Sequence, residues 1–224
     1  MAHLKLLTEK NYKILKGRKL GYMTYILHLA PANLSGFNTC PMASAGCRAA
    51  CLNTSGRGVY PNVQRARVRK TRLFFTHRAK FLEMLRKDIA AAIRRAKRKR
   101  LTPCFRLNGT SDIAWEFVAP EIFREFPDVQ FYDYTKVTAR LFRPRPANYH
   151  LTFSLSEKNT ADVKRVMAAG YNVAAVFRTL PKKFLGRRVF SGDTTDLRFL
   201  DPKRCIVGVT PKGKAKHDKS GFVR

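Results

Sequence analysis

The sequence predicts an α/β protein, either a partial (β/α)6 barrel or an open parallel sheet with helices, in a single domain. Six short apolar runs alternate with helical patterns, and strands that alternate with helices form parallel sheets. At 224 residues, 45% of them hydrophobic, the chain can bury one substantial core. We therefore expect a basic N-terminal segment 1–20, an α/β domain 21–210 that carries a cysteine loop, and a basic C-terminal tail 211–224.

The expected strands are short runs of aromatic and β-branched residues, and the expected helices carry apolar residues at helical spacing. Phe81, Leu85 and Ile89 recur every four residues, which predicts a long amphipathic helix. The predicted strands are 22–29, 104–107, 129–134, 149–155, 172–177 and 204–209. The predicted helices are 78–100, 120–126, 160–169 and a basic helix that begins at Pro61.

Three cysteines with the spacing C-x6-C-x3-C, namely Cys40, Cys47 and Cys51, follow the first predicted strand. Three thiolates can hold a metal centre and leave one position open, as catalysis requires, whereas structural zinc is normally closed by four ligands. Cys104 and Cys205 begin strands at the opposite end of the sheet, some ~15 Å away at about 3.3 Å per residue, and are expected to be buried apolar thiols. An iron–sulfur cluster is therefore favoured over zinc, and zinc over no metal.

The chain carries 45 Lys and Arg against 15 Asp and Glu, a formal net charge of +30. Such an excess attracts a polyanion by releasing its counterions, and this favours nucleic acid, DNA or RNA, as the partner. Two basic runs, one on each predicted long helix, are the expected nucleic-acid-binding surfaces. They comprise Arg65, Arg67, Arg69 and Arg72 in the first, and Arg94, Arg95, Lys97 and Arg98 in the second.

Cysteine usage and hydropathy predict a cytoplasmic protein with no membrane partner. Five cysteines are an odd number, and the N-terminus shows no apolar secretory core. No stretch has the apolar length that spans a bilayer. In a reducing compartment, clustered cysteines bind metals more often than they form disulfides.

Polar residues follow the predicted strands at the end where parallel α/β folds bind their ligands. Asp112 is expected to bind a ligand amine or a metal, and its alternative role is an N-cap. Asp133 and Lys136 are expected to position a substrate, or else to pair with each other. Asp193 and Asp196 suit Mg²⁺ or general acid–base chemistry, with a turn as the slightly favoured alternative.

The segment within residues 25–60 (ILHLAPANLSGFNTCPMASAGCRAACLNTSGRG), with RLNGTSD at 106–112, FYDYTK at 131–136 and LTFSLSE at 151–157, resembles an uncharacterised phage-associated family. It is similar to the gene-product-88-like proteins of bacteriophages and prophages over most of the chain. The resemblance implies a phage-type protein that works in the host cytoplasm. It carries almost no knowledge of activity with it.

The order of elements also resembles, more loosely, radical S-adenosylmethionine enzymes. That resemblance implies a three-cysteine loop that binds a 4Fe-4S cluster, whose open iron chelates the methionyl amine and carboxylate. Here Cys40, Cys47 and Cys51 match the cluster loop, although the usual loop is C-x3-C-x2-C. The cofactor-binding positions that match are Asn108, Gly109, Thr110, Ser111, Ser154 and Ser156.

The leading hypothesis is a phage-type iron–sulfur enzyme, similar to radical S-adenosylmethionine enzymes, that acts on a nucleic acid or nucleotide. A second hypothesis is a zinc-stabilised, basic nucleic-acid-binding accessory protein without catalysis. A third is a metal-dependent nuclease that uses Asp112, Asp133, Asp193 and Asp196. Metal content separates the first two, and Mg²⁺-dependent cleavage identifies the third.

Overall fold

The computed structural model describes residues 4–9 and 11–224 and contains, in those residues, a nine-stranded, mostly parallel sheet. The spatial order is β1-β2-β3-β4-β5-β6-β9-β8-β7, and β2, β3, β4, β5, β6 and β9 run parallel, each beside the next. The strands are β1 Leu7–Thr8, β2 Tyr22–Leu27, β3 Thr102–Arg106, β4 Gln130–Thr135, β5 Tyr149–Ser154, β6 Val173–Val176, β7 Lys183–Phe184, β8 Arg187–Ser191 and β9 Ile206–Val209.

The six predicted strands are therefore confirmed, and they form an open sheet and not a closed barrel. Three strands were not predicted, because β1 and β7 are two residues long and β8 begins with two arginines instead of an apolar run. β1 and β7 lie at the two edges, each antiparallel to its neighbour.

The long helices follow the sequence pattern closely. The predicted amphipathic helix is α4, which buries Phe81, Leu85 and Ile89 against the sheet. Pro61 occupies the first position of α3, where its missing N–H costs nothing. The helices are α1 Tyr12–Leu15, α2 Ala45–Ala49, α3 Pro61–Thr76, α4 Arg78–Arg98, α5 Trp115–Val118, α6 Pro120–Glu125, α7 Ala139–Phe142 and α8 Thr160–Ala168.

The sheet separates two apolar regions because side chains alternate along each strand. Phe105 and Phe131 belong to the large core with the helices, whereas Cys104 and Tyr132 pack with Leu197 on the other face. Cys104 and Cys205 are both buried, as predicted. Burial raises the pKa of the Cys104 thiol to about 12 and that of Cys205 to about 11.

β1 lies within the segment 1–20 and pairs with β2, and the tail 211–224 also contacts the sheet. In the described part of the N-terminal segment, Lys13 pairs with Asp196 at 3.4 Å; Met1, Ala2, His3 and Lys10 lie outside the described residues. In the tail, Val223 bridges to Val176 in parallel. Within residues 4–9 and 11–224, no helix combines the length and the apolarity needed to cross a membrane.

Candidate thiol site and nucleic-acid interface

The cysteine loop is anchored at the carboxyl edge of the parallel strands. Thr39 donates its hydroxyl to the carbonyl of Ala30 at 2.7 Å, and its own carbonyl accepts the N–H of Asp112 at 2.8 Å. Thr110 donates to the carbonyl of Leu29 at 2.6 Å. These bonds join the segment after β2 to the segment after β3, so the loop lies at the edge where the sequence places the site.

A short helix and one carboxylate hold the middle of the loop. Ser44 caps α2 by accepting the N–H of Cys47 at 3.1 Å. The Glu157 carboxylate, which follows β5, accepts from the Ser44 hydroxyl at 2.8 Å and from the Gly46 N–H at 2.9 Å. A Cβ at Gly46 would collide with the Ser220 hydroxyl and lie 2.9 Å from Glu157, so only glycine allows this close approach.

The three loop thiols are free and partly exposed. Burial raises the pKa of Cys40 and of Cys51, and the neighbouring Cys47 adds to the rise in both. The sulfur of Cys40 accepts a weak hydrogen bond from the Ala32 N–H at 3.4 Å, and that of Cys51 accepts one from the Asn53 N–H at 3.5 Å. The thiols of Cys40 and Cys51 are thus only weakly bonded to the protein.

The donor chemistry of this loop fits a metal, because thiolates are the ligands that zinc and iron–sulfur clusters take. In the described residues, however, no group of three or more His, Cys, Asp or Glu side chains is arranged to hold a metal ion. The loop would therefore have to draw its three sulfurs together around the metal.

The segment 108–111, which matches the cofactor-binding positions, bonds mainly within the protein. The Asn108 amide donates to the carbonyl of Ile113 at 2.9 Å and accepts from the Ser111 hydroxyl at 2.9 Å. Trp115 donates its indole N–H to the same Asn108 oxygen at 3.2 Å. A Cβ at Gly109 would lie 2.5 Å from Ile26, so glycine is required where this turn passes β2. These polar groups shape the turn.

Asp112 forms part of a buried ion-pair network and does not cap a helix. Its carboxylate accepts from the Arg140 guanidinium at 2.6 Å and from the Lys136 backbone N–H at 2.8 Å. Arg140 also makes a two-point contact with buried Glu116, at 2.7 and 2.9 Å. Asp112 does follow β3, as the sequence indicates, but its carboxylate is already paired.

Asp133 is fully buried and lies beneath the 108–112 turn. It accepts from the Asn108 N–H at 2.9 Å and from the Tyr149 hydroxyl at 2.8 Å. Burial raises the pKa of Asp133 to about 6, although Arg106 and the hydrogen bonds oppose this. The alternative pairing with Lys136 is not formed, because Asp133 is bonded elsewhere.

Lys136 and Ser154 are brought together at the rim. The ammonium group of Lys136 donates to the Ser154 hydroxyl at 2.9 Å and lies 5.6 Å from the centre of the Phe222 ring. The backbone N–H of Ser156 donates to the side chain of Asn159 at 2.7 Å, and Ser156 itself is buried. Lys136 therefore joins two predicted rim residues, Ser154 through its side chain and Asp112 through its backbone N–H.

The other two carboxylates of the nuclease hypothesis have partners of their own. Asp193 accepts from the N–H and the hydroxyl of Thr210, at 2.8 and 2.7 Å. Asp196 is buried and accepts from the Arg106 guanidinium at 2.8 Å. Both carboxylates are therefore already satisfied by hydrogen bonds or ion pairs to protein groups.

Buried arginines were not found from the sequence. Arg106, Arg140 and Arg198 are all nine-tenths or more buried and pair with carboxylates. In a chain of net charge +30, the sequence does not distinguish an arginine that is buried in an ion pair from the many arginines on the surface. The only local hint is at Arg106, which ends an apolar strand.

The basic run on α3 divides into an exposed set and one buried residue. Arg67 is buried, bonds to Asn53 and lies close enough to Cys51 to oppose the rise that burial causes in the pKa of that thiol. It is therefore turned to the thiol loop and away from the outer surface. Arg65, Arg69 and Arg72 are exposed and border a groove with Leu34 and Val68.

The second basic run is exposed at the end of α4. Arg94, Arg95, Lys97 and Arg98 are all exposed, and Arg95 pairs with Glu9 at 2.5 Å. The buried positions of this turn are Ala92 and Ala96, so the charges surround the helix end on its outer side. This surface matches the sequence prediction in position.

The fold and the loop define a class: an α/β protein with an open, mostly parallel sheet and a three-thiol loop at its carboxyl edge. The chain belongs to the gene product 88 family, whose sequence model matches residues 5–224. No curated protein and no solved structure matches it. The phage-type resemblance is thus confirmed, whereas these comparisons lend no support to the looser one with radical S-adenosylmethionine enzymes.

Proposed function

We propose that this phage-family protein acts on nucleic acid with a metal centre held by Cys40, Cys47 and Cys51. The single observation that carries the proposal is the loop itself: three free, partly exposed thiols at the carboxyl edge, close enough together that burial and the neighbouring Cys47 raise the pKa of Cys40 and of Cys51. An iron–sulfur cluster is the first choice and would supply electrons for an enzymatic reaction. Zinc is the second choice, and it would have a structural role only. The hydrogen bonds that Glu157 makes to the loop would suit a structural zinc site.

The residues around the loop fix its position and offer one polar contact beside it. Asp112 and Arg140 hold the neighbouring turn, while Lys136 and Ser154 form a polar pair at the same rim. If S-adenosylmethionine is a ligand, Ser154 and Lys136 are the residues that would bind it. The polar groups of 108–111 already form hydrogen bonds within the protein. The nuclease hypothesis is not retained, since each of its four carboxylates is already bonded to protein groups.

The proposed nucleic-acid interface consists of the exposed arginines of α3 and the basic end of α4. Arg65, Arg69 and Arg72 border the Leu34 groove, and the neighbouring Tyr60 is 54% exposed. Arginines bind phosphates without reading sequence, while an exposed aromatic ring can stack on a base. The host cytoplasm is the proposed location.

Metal analysis tests the thiol centre. Protein purified without oxygen should carry iron and acid-labile sulfide, both lost in Cys47→Ala and both retained in Cys104→Ala, which removes a buried thiol on the other face of the sheet. Zinc that is bound by wild type and lost in Cys47→Ala would favour the structural zinc site over the iron–sulfur cluster. Metal content unchanged in Cys47→Ala, or absent from wild type, would overturn the proposal.

Salt dependence tests the nucleic-acid interface separately. Replacing Arg65, Arg69 and Arg72 together by alanine should lower the slope of log affinity against log salt by about 2 to 3, since each phosphate contact contributes about 0.9 on duplex DNA. The exposed Arg124→Ala is the matched control and should leave the slope unchanged. A triple variant that binds DNA and RNA as wild type does would contradict this interface.

A further inference from the structure

A groove of about 690 Å³ lies at the amino-terminal edge of the strands, opposite the thiol loop. Its floor includes Gln130 and His150, at the beginnings of β4 and β5, and one wall is the loop 141–147. Its volume is within the ~300–1,000 Å³ of sites that bind small molecules. It shares no residue with the thiol loop or with the basic surfaces of α3 and α4.

The groove carries uncompensated positive charge. Arg143 and Arg145 line it, and none of its lining residues is acidic. In the described part of the chain, neither arginine forms an ion pair with a carboxylate, and Arg145 bonds only to the Leu141 carbonyl, at 3.0 Å. Elsewhere in this protein the buried Arg106, Arg140 and Arg198 are paired with acids. An anion with several oxygens would supply the negative charge and the hydrogen-bond acceptors that these two guanidinium groups lack.

The walls are aromatic and the loop is stiff. Phe142, Tyr171 and Phe199 line the groove, and the Arg145 guanidinium lies 5.4 Å from the centre of the Tyr171 ring. Pro144 and Pro146 alternate with the arginines, and each proline fixes its φ angle, so the loop loses little freedom on binding. Aromatic walls beside the two guanidinium groups of Arg143 and Arg145 suit a ligand in which an aromatic ring is attached to an anion.

His150 adds a neutral polar contact on the floor. Its pKa is lowered to about 4, chiefly by burial and then by Arg145 and Arg198, so the ring is uncharged at neutral pH. A neutral imidazole both donates and accepts hydrogen bonds, as a ribose or base requires. We propose that this groove binds a nucleoside phosphate, held by Arg143 and Arg145 at the phosphates and by the aromatic walls at the base.

Calorimetric titration of the full chain with ATP, adenosine and inorganic phosphate tests this proposal. ATP should bind, and Arg145→Ala should weaken it at least tenfold. Arg143→Ala, at an exposed position, should weaken it in the same direction without disturbing the fold. Arg124→Ala, at an exposed arginine of α6 outside both sites, is the control and should leave ATP affinity unchanged, while Arg69→Ala tests the basic surface of α3.

Several results would overturn the assignment. ATP affinity that falls in Arg69→Ala but not in Arg145→Ala would place the nucleotide on the α3 surface instead. Inorganic phosphate bound as tightly as ATP would remove the role of the aromatic walls. No ATP binding by wild type would reject the groove as a nucleotide site. None of these results depends on metal in the thiol loop, so failure here and failure of the proposed function are distinguishable.

Discussion

The thiol loop 40–51 and the polar rim 108–136 lie at the same carboxyl edge, yet their side chains are used very differently. Cys40 and Cys51 are partly exposed and make only weak hydrogen bonds through sulfur. Asp112 accepts two hydrogen bonds of 3.2 Å or less and Asp133 accepts three, and Asp133 is fully buried. The rim holds the edge together, whereas the loop keeps groups that are free to bind something else.

Position at a strand end therefore indicates where a site lies, but not which of its residues are available. In this protein the carboxylates balance buried arginines, because burying an unpaired guanidinium is costly. The thiols have no such partner. The following predictions use this difference, beginning with the largest expected effect.

Arg140→Ala should lower the free energy of unfolding by about 3–5 kcal/mol, because it leaves Glu116 and Asp112 without their cation. Urea denaturation followed by circular dichroism measures this. The matched control is Arg124→Ala, an exposed arginine, which should change stability by no more than about 0.5 kcal/mol. A cost below about 1 kcal/mol for Arg140→Ala would contradict a structural role for the rim.

Asp133 should make stability fall as pH rises from about 4 to about 7. Its pKa is raised to about 6 in the folded protein from 3.8, so protonation favours the fold, and this contribution is lost as pH rises through 6. The expected loss is about 2–3 kcal/mol relative to Asp133→Asn, which cannot titrate. Urea denaturation of both proteins at pH 4, 5, 6 and 7 measures the difference.

A constant difference between wild type and Asp133→Asn across that range would show that the carboxyl does not titrate there. The pKa of Asp201 is also raised to about 6, but its contribution is present in both proteins and cancels. The comparison therefore isolates the rim carboxyl.

Gly46→Ala should destabilise the protein by about 1–3 kcal/mol, although alanine favours helices. The added methyl group would meet Ser220 and Glu157, which hold the loop. Ala49→Ser, on the exposed side of the same helix, is the control. Thermal denaturation that shows Gly46→Ala as stable as wild type would mean that Glu157 does not hold the loop closely.

Thiol labelling gives the smallest but most local contrast. In metal-free protein at neutral pH, a disulfide reagent should modify the three loop thiols well before Cys104 and Cys205. Both of the latter are buried, and their pKa values are raised to about 12 and about 11. Mass spectrometry of time points assigns the order. Early modification of Cys104 would show that this face of the sheet opens readily.

The strands and the long amphipathic helix could be predicted from the sequence because runs of apolar residues indicate which segments are buried. The six predicted strands and α4 follow from such runs, whereas β8, which is also parallel to its neighbour β9, begins with Arg187 and Arg188 and gives no such signal. The loop that carries the thiols was also placed correctly. What side chains do there depends on partners distant in sequence, such as Arg140 for Asp112.

Arg67 illustrates the same limit. It belongs to a basic run and was predicted to bind nucleic acid, yet the helix turns it inward to Asn53 and the thiol loop, while Arg65 and Arg69 remain exposed. A run of charges along a helix cannot say which member lies on the buried face unless the neighbouring loop is known.

Metal-edge X-ray absorption of the protein as isolated without oxygen tests the central claim most directly, because it identifies the atoms bound to the metal. A centre held by the loop predicts sulfur neighbours at about 2.3 Å, which disappear in Cys47→Ala and persist in Asp112→Asn. A first shell of oxygen or nitrogen alone, or a spectrum that changes in Asp112→Asn but not in Cys47→Ala, would contradict the account and place the metal at the rim.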